Sequence, residues 1–146
     1  MFDISFLDAE PELQEEGCYG IAGTVSLGDY RESFVSPLAV WSRDQYEAQW
    51  LEAAARLVNG EERSAFFTSA FQFWWAMWRR GNLVYVHEEL LVPQRLATLG
   101  PTFDLTRAPY ELLGPYEAVN EDGKAISEWQ LSIADVRDYL RRRSTS

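Results

Sequence analysis

Residues Phe66–Val92 read FFTSAFQFWWAMWRRGNLVYVHEELLV and contain the densest run of aromatic and apolar residues in the chain. Five of the eight residues from Phe71 to Trp78 are aromatic. Gly81-Asn82 separates this run from a second apolar run that begins directly afterwards. Two strand-like runs joined by two residues, one of them glycine, are typical of a tight β-hairpin. The stretch therefore predicts a hairpin with its turn at Gly81-Asn82.

The turn fixes the register of this hairpin. Side chains alternate across a strand, and both faces of the segment 71–78 are apolar. A strand that is apolar on both sides belongs in the middle of a sheet, with another layer packed on each face. We therefore expect Trp75 to be buried, and the predicted cross-strand pairs are Trp78 with Tyr85, Met77 with Val86 and Phe73 with Leu90.

Three further patterns predict a second hairpin and two helices. Gly28-Asp29 separates the alternating runs 21–27 and 30–35, which predicts a hairpin that pairs Leu27 with Tyr30. Ser42 and Gln45 form a capping box before apolar residues at helical spacing, which predicts a helix over 43–58. In this helix Trp50 lies in the apolar stripe, and Gln49 is expected outside it. Ser132 and Asp135 predict the start of a last helix over 133–142.

These patterns predict one α+β domain that spans residues 1–146. Its mainly antiparallel central sheet contains hairpins around 21–35 and 66–91, with the amphipathic helix of about 43–58 packed on the sheet and a short C-terminal helix at about 133–142. At 146 residues such a domain buries a sizeable core without metal or disulfide support. Four prolines within 93–123 predict an ordered but irregular wrap along that core.

The sequence also predicts a cytoplasmic location. No apolar run approaches the roughly 20 residues of a membrane span. The first residues are acidic and lack the basic start and apolar middle of a secretory signal. Cys18 is the single cysteine, so it forms no internal disulfide and fits a reducing compartment.

The negative charge is concentrated in the first part of the chain. Residues 1–62 contain 13 acids and 3 bases, whereas residues 63–146 contain 10 of each. The segment 1–17 is the most acidic and contains no base. Such a run is typical of a solvated arm that aids solubility, or of a surface that attracts a basic partner and speeds its encounter. Direct binding to nucleic acid is disfavoured, because affinity for phosphates comes from cations.

Residues that carry catalysis are largely missing. His87 is the single histidine, and with one cysteine it cannot build a zinc site. It could act as a general base beside Glu88 or Glu89, but we expect a partly exposed strand position without a catalytic role. No phosphate-binding glycine loop or nucleophile elbow is present, and nothing brings two carboxylates into one pocket. We predict a binding protein without catalytic residues, metal or cofactor.

Several segments recur in an order and spacing that point to a known family. The first is formed by Trp41, Tyr46, Gln49, Trp50 and Leu51, which read W-x4-Y-x2-Q-W-L. The others are SAFFTS at 64–69, then Trp75, Trp78, Arg79, Gly81 and Val84-Tyr85-Val86, and finally Asp122-Gly123 and Ile126-Ser127-Glu128-Trp129. With these segments the chain resembles, over roughly residues 33 to 141, bacterial immunity proteins of contact-dependent growth inhibition systems. The resemblance implies an α+β protein that binds one cognate toxin and neutralises it by covering its active site or substrate surface.

The implied partner is the toxin's C-terminal domain, often a nuclease and therefore basic, with no direct contact to nucleic acid or membrane. Two alternatives stay open: a small-molecule-binding or enzymatic domain that uses the aromatic cluster as a pocket, and an acidic mimic of nucleic acid that inhibits many DNA-binding proteins. A cavity lined by Trp74 or Trp78 with convergent polar groups would favour the first. Our candidate toxin-binding residues are Asp8, Glu10, Glu12, Glu15, Glu16, Glu88 and Glu89.

Overall fold

A computed structural model describes residues 1–7, 10–14, 17–39, 41–69, 73–90, 116 and 128–144. They form an α+β fold with eight strands and two helices, and all described strand pairs are antiparallel. The predicted fold class is therefore confirmed. The predicted wrap over 93–123 lies outside the described residues, apart from Tyr116. Neither described helix is long and apolar enough to cross a membrane.

The first sheet contains the four N-terminal strands. They are β1 (Phe2–Phe6), β2 (Glu12–Leu13), β3 (Tyr19–Leu27) and β4 (Tyr30–Pro37). Strand β3 lies in the middle, with β1 and β2 along one side and β4 along the other. The predicted pairing of Leu27 with Tyr30 is confirmed. Gly28 has a φ of 66° in the turn, a conformation that glycine adopts without steric cost.

The second sheet contains the aromatic stretch. Its strands are β5 (Arg63–Ser69), β6 (Phe73–Arg80), β7 (Leu83–Leu90) and β8 (Trp129–Ser132), hydrogen-bonded in that order. All three predicted cross-strand pairs of the β6–β7 hairpin are confirmed. Consecutive residues 74–78 are buried, as expected for a central strand that is covered on both faces.

Helix α1 (Arg43–Val58) has the bounds that the sequence predicts. The capping box of Ser42 and Gln45 is present, and the rings of Trp41 and Tyr46 pack edge to face with centroids 5.3 Å apart. Trp50 is buried as predicted. The predicted exposure of Gln49 is wrong, because its side chain is only 3% exposed.

Gln49 is buried because it binds the free edge of strand β5. Its Nε2 donates to the carbonyl of Ala65 at 2.8 Å, and its Oε1 accepts from the backbone N–H of Phe67 at 2.9 Å. The indole N–H of Trp50 donates to the carbonyl of Phe67 at 2.6 Å. Helix α1 thereby satisfies polar groups that an edge strand otherwise leaves unpaired.

This contact explains why the two predicted hairpins lie in separate sheets. The carbonyls of Ala65 and Phe67 and the N–H of Phe67 are taken by side chains of α1, so these three groups are not available to β4. The two strands meet instead through a side chain, because the buried hydroxyl of Ser36 donates to the carbonyl of Thr68. The buried apolar residues between the sheets and helices form one core cluster.

Helix α2 (Ile133–Ser144) packs against α1 and strand β1. Ser132 and Asp135 exchange backbone-to-side-chain hydrogen bonds at its start, as predicted. Arg143 binds both carboxylate oxygens of Asp3, and Arg142 binds the carbonyl of Phe2. These contacts favour a structural role for the arginines that end the helix.

Candidate functional site

The predicted acidic residues are distributed over two parts of the structure. Glu10 and Glu12 are exposed near and within β2. Glu88 is exposed on β7. Glu89 follows it in the strand, and its side chain lies outside the described residues, as do Asp8, Glu15 and Glu16. The candidates therefore form two groups. One lies in the acidic segment 1–17, which we call the N-terminal arm, and the other lies at the end of β7.

The arm combines acidic and apolar exposed side chains. Leu13 pairs with Tyr19 across β2 and β3, and their exposed fractions are 64% and 58%. Glu12 pairs with Gly20 one position further along. Carboxylates beside exposed apolar side chains are a suitable composition for a surface that contacts another protein.

Glu88 lies at the mouth of a notch between the two sheets. The notch has a volume of about 250 Å³, and its walls come from β4, β5, β6 and β7. Glu88 pairs with Trp75 across β6 and β7, so both side chains are on the face that lines the notch. We call this site the inter-sheet notch, and its lining includes Glu32, Phe34, Thr68, Ser69, Trp75 and Glu88.

Sequence reasoning missed Glu32, although a signal for it exists. Glu32 lies between Tyr30 and Phe34 in the inward-facing set of the alternating β4 residues, where an acid interrupts an otherwise aromatic face. Its proximity to Glu88 could not be predicted, because the two residues belong to different sheets and are 56 positions apart.

The two carboxylates of the notch repel each other. Partial burial, followed by the nearby charge of Glu32, raises the pKa of Glu88 above its ordinary value. Partial burial and then the charges of Glu32 and Glu88 also raise the pKa of Tyr30. Within the described part of the chain neither carboxylate forms an ion pair. The notch is therefore a negatively charged site without a described counter-charge.

Two aromatic residues, Phe34 and Trp75, line the notch. Trp75 is buried, and its ring stacks on that of Phe66 with an interplanar angle of 5°. The ring centroid of Trp129 lies 5.4 Å from that of Trp75 and 4.8 Å from that of Tyr30. Phe34 is half-buried, so a ligand in the notch can reach both aromatic surface and carboxylate oxygens.

The predicted partly exposed position of His87 is wrong, because its side chain is 1% exposed. Its ring packs against those of Trp78 and Tyr116. The carboxylate that contacts it is that of Glu128, 3.4 Å from Nε2, which also accepts a hydrogen bond from the hydroxyl of Tyr116. The layer that covers His87 comes from a distant segment, which local patterns do not reveal. This burial leaves no open face for a substrate.

A larger cleft of about 700 Å³ lies beside Trp78 and tests the small-molecule alternative. Its cationic side chains are already bonded. Arg79 donates to the carbonyls of Leu57 and Gly81, and Arg80 lies over the ring of Tyr116. These arginines already have partners, so they provide little support for a ligand site. Within the described ranges no group of acids, histidine and cysteine could hold a metal ion.

Comparisons with known proteins agree with the resemblance read from the sequence. The family model described as the CdiI N-terminal domain matches residues 36–139, more than half of the chain. Among solved structures, the chain is similar to one titled "CdiA-CT/CdiI toxin and immunity complex from Enterobacter cloacae". The identity is 22%, the TM-score is 0.84, and both chains are covered in full, which establishes a shared fold. No curated protein matches the chain.

Proposed function

The chain belongs to the family of immunity proteins of contact-dependent growth inhibition systems that the CdiI N-terminal domain defines, and we propose that it neutralises one cognate toxin domain by binding it. The observation that carries the proposal is the family match over residues 36–139. The bound protein covers the active or substrate-binding surface of the toxin, and it performs no chemistry of its own.

The charge distribution supports a basic toxin, such as a nuclease. The chain has a formal net charge of −10 at pH 7. All of this excess lies within residues 1–62, where bases number 3 and acids 13. Proteins that bind nucleic acid present cations to the phosphates, so a nuclease domain offers a complementary surface. Glu10, Glu12 and Glu88 are exposed where such a surface can reach them.

The environment of the single histidine supports action by binding alone. His87 is enclosed by aromatic rings and hydrogen-bonded to Glu128, so it provides no accessible base. We further propose that the protein acts in the cytoplasm, where a delivered toxin reaches its target. The free thiol of Cys18 is compatible with that reducing compartment.

Co-expression in a toxin-sensitive bacterium tests this function. One strain produces the protein with the toxin domain encoded beside it, and a second strain produces it with an unrelated toxin domain. We expect survival only of the first strain, because specific neutralisation depends on one complementary interface. Death of both strains would refute the immunity function. Survival of both would instead favour a broad acidic mimic of nucleic acid.

A further inference from the structure

The size of the inter-sheet notch limits what it can hold. Its volume of about 250 Å³ is below the roughly 300–1,000 Å³ that is typical of sites for small-molecule ligands. It is nevertheless open between two sheets and is lined by side chains from four strands. A single side chain of another protein matches this size better than a cofactor or a nucleotide.

The charge of the notch selects a cation. Glu32 and Glu88 approach from opposite sheets, and neither forms an ion pair with a described residue. An anionic side chain would add a third negative charge, and an apolar side chain would bury the carboxylates without a partner, which costs free energy. A cation removes their mutual repulsion and gives each a charge-assisted hydrogen bond.

The walls of the notch favour arginine over lysine. A guanidinium group is planar, stacks on aromatic rings and offers donors in several directions, whereas an ammonium group is compact and more strongly hydrated. Phe34 and Trp75 provide ring surface where they line the notch. The two carboxylates come from different sheets and line the same notch, which suits a group that offers donors in several directions.

The notch is also held in shape before any partner arrives. The hydroxyl of Ser36 donates to the carbonyl of Thr68, which ties β4 to β5. The indole N–H of Trp75 donates to the hydroxyl of Thr68 at 3.3 Å. A site that needs little reorganisation loses less conformational entropy on binding.

We propose that the inter-sheet notch receives an arginine side chain of the cognate toxin domain, which binds Glu32 and Glu88 and stacks on the bordering aromatic rings. This inference rests on the proposed function and assigns it a specific contact. The arginine forms the centre of the interface. Buried arginine and aromatic contacts of this kind dominate the binding energy of many interfaces.

The test compares uncharged variants of nearly the same shape. The double variant Glu32→Gln and Glu88→Gln is compared with the wild type and with Glu52→Gln, which removes an exposed acid of α1 outside the notch. Binding to the purified toxin domain encoded beside the protein is measured by surface plasmon resonance at constant salt. We expect the double variant to raise Kd at least tenfold, mainly through faster dissociation, because the lost contacts are buried in the complex. Glu52→Gln should change Kd by less than about twofold.

A double-mutant cycle identifies the occupant. Each arginine and lysine of the toxin domain is replaced by alanine in turn and measured against both forms of the protein. One arginine should lose its effect on Kd in the Glu32→Gln and Glu88→Gln background. A Kd of the double variant within twofold of the wild type would overturn the inference, as would coupling to a lysine or to no residue. Absence of binding by the wild type would overturn the proposed function itself, and the inference with it.

Thermal unfolding distinguishes a binding role from a structural one. The raised pKa of Glu88 means that its ionised form is disfavoured in the folded protein. This cost is present when the pH is above the folded pKa and disappears as the pH falls below the ordinary value of 4.5. The double variant should therefore be at least as stable as the wild type at pH 7, with an advantage that shrinks in acid. A less stable variant at pH 7 would assign the two acids a structural role.

Discussion

Trp75→Ala should lower the free energy of unfolding by about 3–5 kcal/mol, the usual cost of truncating a large buried aromatic side chain. Trp75 is 2% exposed in the central strand β6. Its ring stacks on Phe66 and contacts Trp129, and its N–H donates to Thr68. Removal of the ring leaves a cavity between the two sheets and unpairs a buried hydroxyl. The loss is a large share of a typical stability of about 5–15 kcal/mol.

Chemical denaturation at 25 °C measures this effect, with Tyr19→Ala as the matched control. Tyr19 is an aromatic strand residue with 58% exposure, so its truncation should change the stability by no more than about 0.5 kcal/mol. The free energy of unfolding of Trp75→Phe should lie between those of the control and the alanine variant. This variant keeps the prediction testable if Trp75→Ala does not fold. Equal stability of Trp75→Ala and the wild type would contradict the packing of the sheets described above.

Gln49→Leu should cost about 2–6 kcal/mol, although leucine is apolar and close in size. The substitution removes the partners of the Ala65 carbonyl and the Phe67 N–H, and both groups stay buried beneath α1. Each unpaired buried polar group costs about 1–3 kcal/mol. An apolar side chain at a buried position usually preserves stability. A large loss of stability in Gln49→Leu would therefore come from the unpaired backbone groups at the edge of β5.

The control is Glu52→Leu, which places the same side chain at an exposed position of the same helix. It should leave the denaturation midpoint nearly unchanged. Gln49→Glu keeps an acceptor for Phe67 but cannot donate to Ala65 when ionised, so it should be destabilised as well. If Gln49→Leu were as stable as the control, helix α1 would not be needed to satisfy the edge of β5.

Local signals predicted much of the fold. The turns at Gly28-Asp29 and Gly81-Asn82 fix the registers of both hairpins, because a two-residue loop leaves little choice of pairing. The capping box at Ser42 fixes the start of α1, because the side chains of Ser42 and Gln45 bind the first backbone N–H groups. Each of these signals lies within a few residues of the element that it defines.

Long-range contacts explain what the sequence did not reveal. Gln49 has the composition of an exposed helix position, and only the neighbouring edge of β5 makes its burial favourable. His87 is buried because Tyr116 and Glu128 reach it from other parts of the chain. The acidic candidate Glu88 was predicted, but its proximity to Glu32 depends on how the two sheets pack. Specific binding surfaces of this kind depend on such packing.

The two acidic groups are expected to act at different stages of toxin binding. Exposed charges on the arm mainly accelerate association, and screening at physiological ionic strength limits their reach to about 8 Å. Contacts that become buried in the notch mainly set the dissociation rate. We therefore expect the arm to determine how fast a toxin is captured and the notch to determine how long it is held.

Direct binding of the purified protein to the toxin domain encoded beside it tests the proposed function most directly. Isothermal titration calorimetry gives the stoichiometry and Kd, and an assay of the toxin's own activity is run on the same mixtures. We expect a complex with one copy of each protein that abolishes the toxin's activity at one equivalent, and no binding to an unrelated toxin domain. Failure to bind the cognate domain, or binding that leaves its activity intact, would contradict the immunity function.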